Sequence, residues 1–149
     1  WRNIEDKLRS DELFKKKVGI IGFGRIGKNI FNYSNAFGMQ SIIYDPNIKK
    51  NNYNSIRNLK RIKNESDLIF VCINLNKKNI NFINKKFFLE LKCSPFLINT
   101  SRGEVVDEKA LLDALKLNLI RSAAIDVIAG EQKLNLLKNY GILREYYCS

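Results

Sequence analysis

The stretch Lys17-Val18-Gly19-Ile20-Ile21-Gly22-Phe23-Gly24-Arg25-Ile26-Gly27 decides how the rest of the chain is read. It starts as a short apolar run and passes into three glycines spaced G-x-G-x-x-G. An apolar run of this length bounded by glycine reads as a buried strand. Downstream, Ile26, Ile30, Tyr33 and Phe37 recur at spacings of four, three and four. That periodicity predicts a helix from 25 to 37 that buries this face. Gly38 stands where a helix-terminating glycine belongs.

Working outward, strands are expected at 41–44, 68–72, 95–99 and 122–127. Helices are expected at 3–13, 55–62, 79–91 and 108–117. Asp107 would cap the last, and Ala110, Leu111, Ala114 and Leu115 would face inward. Strands alternating with helices predict an α/β fold. The expected architecture is a Rossmann-type doubly wound parallel sheet of about five to six strands, in three α/β/α layers. The length of 149 residues fits a single domain, 1–149, able to bury about 70% of its unfolded surface.

Between a strand and a helix, the three glycines have separate uses. The first permits a tight turn, the second lets backbone approach a pyrophosphate, and the third lets helix and strand pack closely. The helix amino end then offers N–H groups and a positive dipole to phosphate. Asp45 follows 18 residues after Gly27, at the end of the second strand. A carboxylate there would accept hydrogen bonds from both adenosine ribose hydroxyls and repel a 2′-phosphate, which favours NAD over NADP. Other strand ends are also polar or permissive: Gly22, Asn74, Asn99 to Gly103, and Asp126. Ligands of open α/β sheets bind outside those carboxyl ends. Arg102, between a buried strand and a glycine, is placed to hold a carboxylate or 2-keto acid in two parallel hydrogen bonds.

Composition narrows the chemistry. The chain has no histidine, so it supplies no Ser-His-Asp triad, His-ligated zinc or imidazole proton transfer. Its three cysteines, Cys72, Cys93 and Cys148, are sparse and read as reduced packing thiols of a cytoplasmic protein; no metal site is expected. Lys+Arg number 26 against 15 Asp+Glu, a net charge of +11. These cations are scattered through an Asn- and Lys-rich chain and read as solvated surface, so no nucleic-acid partner is expected. No apolar run approaches the roughly 18 residues of a membrane span, so no membrane partner is expected either.

The motifs together resemble the NAD-binding domain of the D-isomer-specific 2-hydroxyacid dehydrogenases. The resemblance rests on Ile20 to Gly27, Ala36-Phe37-Gly38-Met39, Tyr44-Asp45-Pro46, Ser66-Asp67, Asn99 to Asp107, Ala110-Leu111 and Ala124 to Val127, in that order. It covers about 16–131. It implies that Gly22, Gly24, Arg25, Ile26 and Gly27 hold the NAD pyrophosphate. Tyr44, Asp45 and Pro46 would hold the adenosine ribose, with Ile73, Asn74 and Asn79 lining the adenine and ribose side. Thr100, Ser101, Arg102 and Asp126 would contact the nicotinamide half. Arg102 would bind the substrate carboxylate and keto oxygen, and Glu131 would orient a catalytic histidine and raise its pKa.

The resemblance further implies a small 2-hydroxy or 2-keto acid as substrate and a homodimer formed through the NAD domain. Departures are Asn74 for a usual proline, Asn79 for a usual threonine and Gln132 for a common proline. The family's histidine lies in a Thr-Pro-His-Ile segment beyond residue 149, and its substrate domain comes from both flanks. Trp1 matches a tryptophan common just before the NAD domain, so a piece excised from a longer protein is expected. The apolar tail 132–149 and the N-terminal helix are candidate contact surfaces. Two other classes share features with the chain. One is a non-catalytic NAD-binding scaffold like the C-terminal-binding-protein corepressors, and the other is a basic nucleic-acid-binding domain.

Overall fold

A computed structural model describes residues 12–48 and 58–129. The helix expected at 3–13, Glu131, the tail 132–149 and Cys148 lie outside the described residues, apart from the last two positions of that helix span. Five strands form one parallel sheet in the order β2-β1-β3-β4-β5. They are β1 (Lys17–Ile21), β2 (Gln40–Tyr44), β3 (Leu68–Val71), β4 (Phe96–Asn99) and β5 (Ser122–Ile125). Helices α1 (Arg25–Ala36), α2 (Leu59–Glu65), α3 (Lys85–Leu89) and α4 (Glu108–Lys116) connect them. The order reverses between β1 and β3, and that reversal opens a crevice at the carboxyl edge of such sheets.

Alternation along the strands sends side chains to two cores. On one face Ile21, Ile42, Ile69, Val71, Leu97 and Ala123 pack with Ile62 of α2, Phe87 and Phe88 of α3, and Ala110, Leu111 and Ala114 of α4. On the other, Val18, Ile20 and Ile43 pack with Phe23, Met39 and the half-buried Ile30 and Phe31 of α1. The three layers are therefore those expected. Asp107 caps α4, its carboxylate accepting from the Ala110 N–H at 3.0 Å. Gly38, at φ +72°, ends the α1 turn as read.

The buried face of α1 differs from the periodicity reading. Ile26, Tyr33 and Phe37 are 51%, 66% and 62% exposed, whereas Gly27 and Ser34 are buried. The cause is the close approach of α1 to β1. A Cβ on Gly27 would lie 2.1 Å from the Gly22 carbonyl oxygen, so Gly27 sets the helix rotation and Phe31, not Tyr33, meets the core. Phe31 packs edge-on against Phe23 with centroids 5.6 Å apart.

Other elements also shift. Of the helix expected at 55–62, positions 55–57 lie outside the described residues; the described helix is Leu59–Glu65, capped by the Asn58 side chain, which accepts from the Arg61 N–H at 2.9 Å. The helix expected at 79–91 shortens to Lys85–Leu89. Asn81 adopts φ +50° just before it, and Asn84 caps the helix through Phe87 N–H. Cys93 is exposed and donates to the Asn64 carbonyl, so it is not a packing thiol. Among the described residues no helix is long and apolar enough to cross a membrane.

Candidate dinucleotide site

The strand registers align one row across the sheet. Tyr44, Ile21, Val71, Asn99 and Ile125 stand opposite one another in turn. The residues that follow them, Asp45, Gly22, Cys72, Thr100 and Asp126, therefore leave the sheet along a single edge. Backbone bonds carry the ladder one step further. Gly22 N–H donates to Tyr44 O at 2.8 Å, Cys72 N–H to Ile21 O at 2.7 Å, and Asp126 N–H to Asn99 O at 3.1 Å.

At this edge the three motif glycines behave differently. Gly22 has φ +95°, and its Cβ would sit 2.7 Å from the Cys72 carbonyl oxygen. Gly27 is excluded from bearing a side chain by Gly22 itself. Gly24 has ordinary φ, −75°, and a Cβ on it would meet no atom of the described residues beyond its own chain neighbours within 4 Å. The protein's own packing therefore requires glycine at 22 and 27 but not at 24, where the bare backbone faces open space. Gly24 is also the residue before α1. Among the described residues no side chain caps this helix, no acidic residue stands in its first turn, and Arg25 is its first residue. A cation at the positive end of a helix dipole is unfavourable alone and favourable beside an anion. This geometry fits the pyrophosphate of a dinucleotide.

Opposite the glycine turn, the half-buried Asp45 has both carboxylate oxygens oriented. Oδ2 accepts from the Phe23 N–H and Oδ1 from the Asn47 N–H, each at 2.8 Å. Each oxygen keeps a second lone pair for a ligand hydroxyl. Gly22, Gly24, Tyr44, Asp45, Pro46, Cys72, Ile73, Asn74 and Asn79 together line a cleft of about 940 Å³, near the upper end for small-molecule sites. Within it the Asn79 amide donates to the Asn74 carbonyl at 2.8 Å. Tyr44 and Phe82 stack with centroids 6.2 Å apart. Burial raises the Cys72 thiol above its usual range, partly offset by a hydrogen bond with Thr100, so it stays neutral.

Thr100 and Asp126 border a second, smaller hollow beyond β4, beside Asn99. Ser101 is buried. Arg102 is exposed, and its Nη1 donates to the Ser101 carbonyl at 2.7 Å. The structure thus brings the expected residues that it describes, all but Glu131, to one edge in two groups, the cleft at β1–β3 and the turn after β4. Arg25 and Ile26 begin α1 between the glycines. Sequence reading missed Phe82, Lys77 and Lys78, which also line the cleft. It named Asn99 only as a strand end. The signal was there, since Asn99 is the one polar residue in β4.

Comparison with known proteins agrees with this geometry. A family model described as "D-isomer specific 2-hydroxyacid dehydrogenase, NAD binding domain" matches residues 1–142. The chain is similar to D-3-phosphoglycerate dehydrogenase of Methanocaldococcus jannaschii, 35% identical over 130 residues, 84% of this chain and 25% of that protein. It is similar to glyoxylate reductase of Pyrococcus furiosus, 35% identical over 128 residues, 83% of this chain and 38% of that protein. Among solved structures, the NAD-complexed D-isomer specific 2-hydroxyacid dehydrogenase of Lactobacillus delbrueckii ssp. bulgaricus superposes with a TM-score of 0.77 at 33% identity. That match covers 85% of this chain and 40% of the other. The chain thus spans between a quarter and two fifths of the length of these relatives.

Proposed function

The chain belongs to the D-isomer-specific 2-hydroxyacid dehydrogenase family, as its NAD-binding domain, and from that premise we propose what its residues do within a whole enzyme. The parent protein interconverts a small D-2-hydroxy acid and its 2-keto acid. Bound NAD supplies the chemistry of hydride transfer. The bare Gly24 backbone and the N–H groups of Arg25 and Ile26 hold the pyrophosphate, with Gly22 and Gly27 shaping that turn. Asp45 accepts from the adenosine ribose hydroxyls and disfavours a 2′-phosphate. Tyr44, Pro46, Ile73, Asn74 and Asn79 wall the adenine and ribose side. Thr100, Ser101 and Asp126 face the nicotinamide half.

Arg102 receives the substrate carboxylate and keto oxygen. Glu131 orients a histidine that the parent contributes from outside this chain. Residues 1–149 act as one domain, and the substrate domain comes from its flanks. By itself the chain binds NAD and turns over little, since loss of a general acid/base alone costs about 10²–10⁴-fold in rate. The protein works in the cytoplasm, a reading supported by Cys72 and Cys93, which form no disulfide among the described residues, and assembles as a homodimer through this domain.

The observation that carries the reading is the asymmetry of the glycines. Two are demanded by the protein's own packing, and Gly24 faces empty space between an uncapped helix end and Asp45. Calorimetric titration with NADH and, separately, NADPH tests it. NADH binding with NADPH clearly weaker is expected. A folded chain that binds neither overturns the reading.

A further inference from the structure

Asn99 ends β4 with its side chain fully buried, 0% exposed, after the apolar Phe96, Leu97 and Ile98. A buried primary amide is costly unless its donor and acceptor are satisfied. Here Oδ1 accepts from the Ser101 N–H at 3.0 Å and from the Ser101 hydroxyl at 2.7 Å. Nδ2 donates to the Arg102 carbonyl at 3.1 Å. All three bonds run forward into the turn after β4, and none to a neighbouring strand. The sheet ladder at this position is held by backbone alone, through the Asn99 carbonyl and Asp126 N–H. The amide therefore shapes the turn and contributes nothing to strand pairing. Ser101 passes the constraint on, because its own carbonyl accepts from Arg102 Nη1 at 2.7 Å.

We propose that Asn99 is a positioning residue for the nicotinamide half of NAD. It fixes the Thr100–Arg102 turn and, through Ser101, the direction in which the Arg102 guanidinium leaves the sheet edge. The proposal rests on the reading that this turn faces the nicotinamide. An apolar residue at 99 would suit the strand equally well but would leave the buried Ser101 N–H and hydroxyl without partners.

The test separates the two halves of the ligand. ADP-ribose carries the adenosine and pyrophosphate but lacks nicotinamide. Wild-type chain and Asn99→Ala are titrated with NADH and with ADP-ribose, and folding is followed by circular dichroism. Asn99→Ala is expected to weaken NADH about tenfold and ADP-ribose less than about twofold, since the lost bonds all lie in the turn. Asn99→Asp keeps an acceptor for Ser101 but loses the donor to Arg102, and is expected to fall between the two. Equal weakening of both ligands, unchanged NADH binding, or a wild-type chain that binds both ligands equally tightly overturns the proposal. Failure of both variants to fold overturns it too, because the role is then structural. A wild-type chain that binds neither ligand defeats the underlying NAD reading instead.

Discussion

Asp45 Oδ2 accepts a hydrogen bond from the Phe23 backbone N–H at 2.8 Å, joining the end of β2 to the middle of the glycine turn. The carboxylate thereby has a structural task besides any contact with ligand. It fixes the loop between Gly22 and Gly24 while its remaining lone pairs face the cleft.

Both tasks are lost in Asp45→Ala. Removing a charged acceptor from a part-buried N–H costs about 1–3 kcal/mol, so a lower melting temperature is expected. NADH affinity should fall and the preference against NADPH narrow. Asp45→Asn keeps an oxygen for the Phe23 N–H and should recover most of the stability without the full discrimination. Titration with both cofactors, with a thermal melt of each variant, checks this. Unchanged discrimination in Asp45→Ala would refute the role given to the carboxylate.

The glycines should separate stability from binding. Gly27→Ala drives a Cβ to 2.1 Å from the Gly22 carbonyl oxygen and must displace α1 from β1. Overpacking of this kind costs about 1–3 kcal/mol or more, and the melting temperature should drop by several degrees. Gly24→Ala meets no other atom of the described residues, so its melting temperature should stay near that of the wild type. Its methyl occupies the space assigned to pyrophosphate, and dinucleotide affinity should fall at least about tenfold, or 1.4 kcal/mol. Full NADH affinity in Gly24→Ala would remove the pyrophosphate from this position.

Acid should weaken the fold through two carboxylates. Hydrogen bonds from Lys17 first, then Arg61, hold Glu65 below the usual carboxylate range. Lys63 does the same for Glu90, its Nζ lying 2.6 Å from Oε2. For a depressed pKa, the unfolded chain takes up protons first as pH falls. The stabilisation is complete above the unfolded value of about 4.3 and is lost below it, through the folded pKa. Both carboxylates stay substantially open to water, at 32% and 44% side-chain exposure, so the effect is small and shrinks in salt. Melting temperature against pH should fall less steeply in a Glu65→Gln, Glu90→Gln double variant. An identical acid slope in that variant would place the acid sensitivity elsewhere.

Much of the fold was legible because its signals are local. The apolar run before Gly22, the glycine spacing, Asp45 before Pro46 and the Asp107 cap each depend on residues within one or two turns of chain. The boundaries that moved did so for local reasons too, through Asn58 and Asn84 acting as caps and Asn81 at positive φ. The candidate site residues were named from the motifs, and the structure sets those it describes along the carboxyl edge of the sheet.

The amino-acid sequence alone determined that β1 passes through glycines into α1, that the strands run parallel, and that Asp45 stands at the end of β2. Those follow from periodicity, turn chemistry and order along the chain. Tertiary structure decided which face of α1 is buried, because the Gly27–Gly22 contact sets the helix rotation and leaves Tyr33 and Phe37 outside. It also decided that only Gly24 of the three glycines faces open space, and that Asp45 reaches across 22 residues to Phe23. Such contacts depend on the register between strands distant in sequence. Hydrophobic pattern constrains that register, but side chains of fixed size meeting across it complete it.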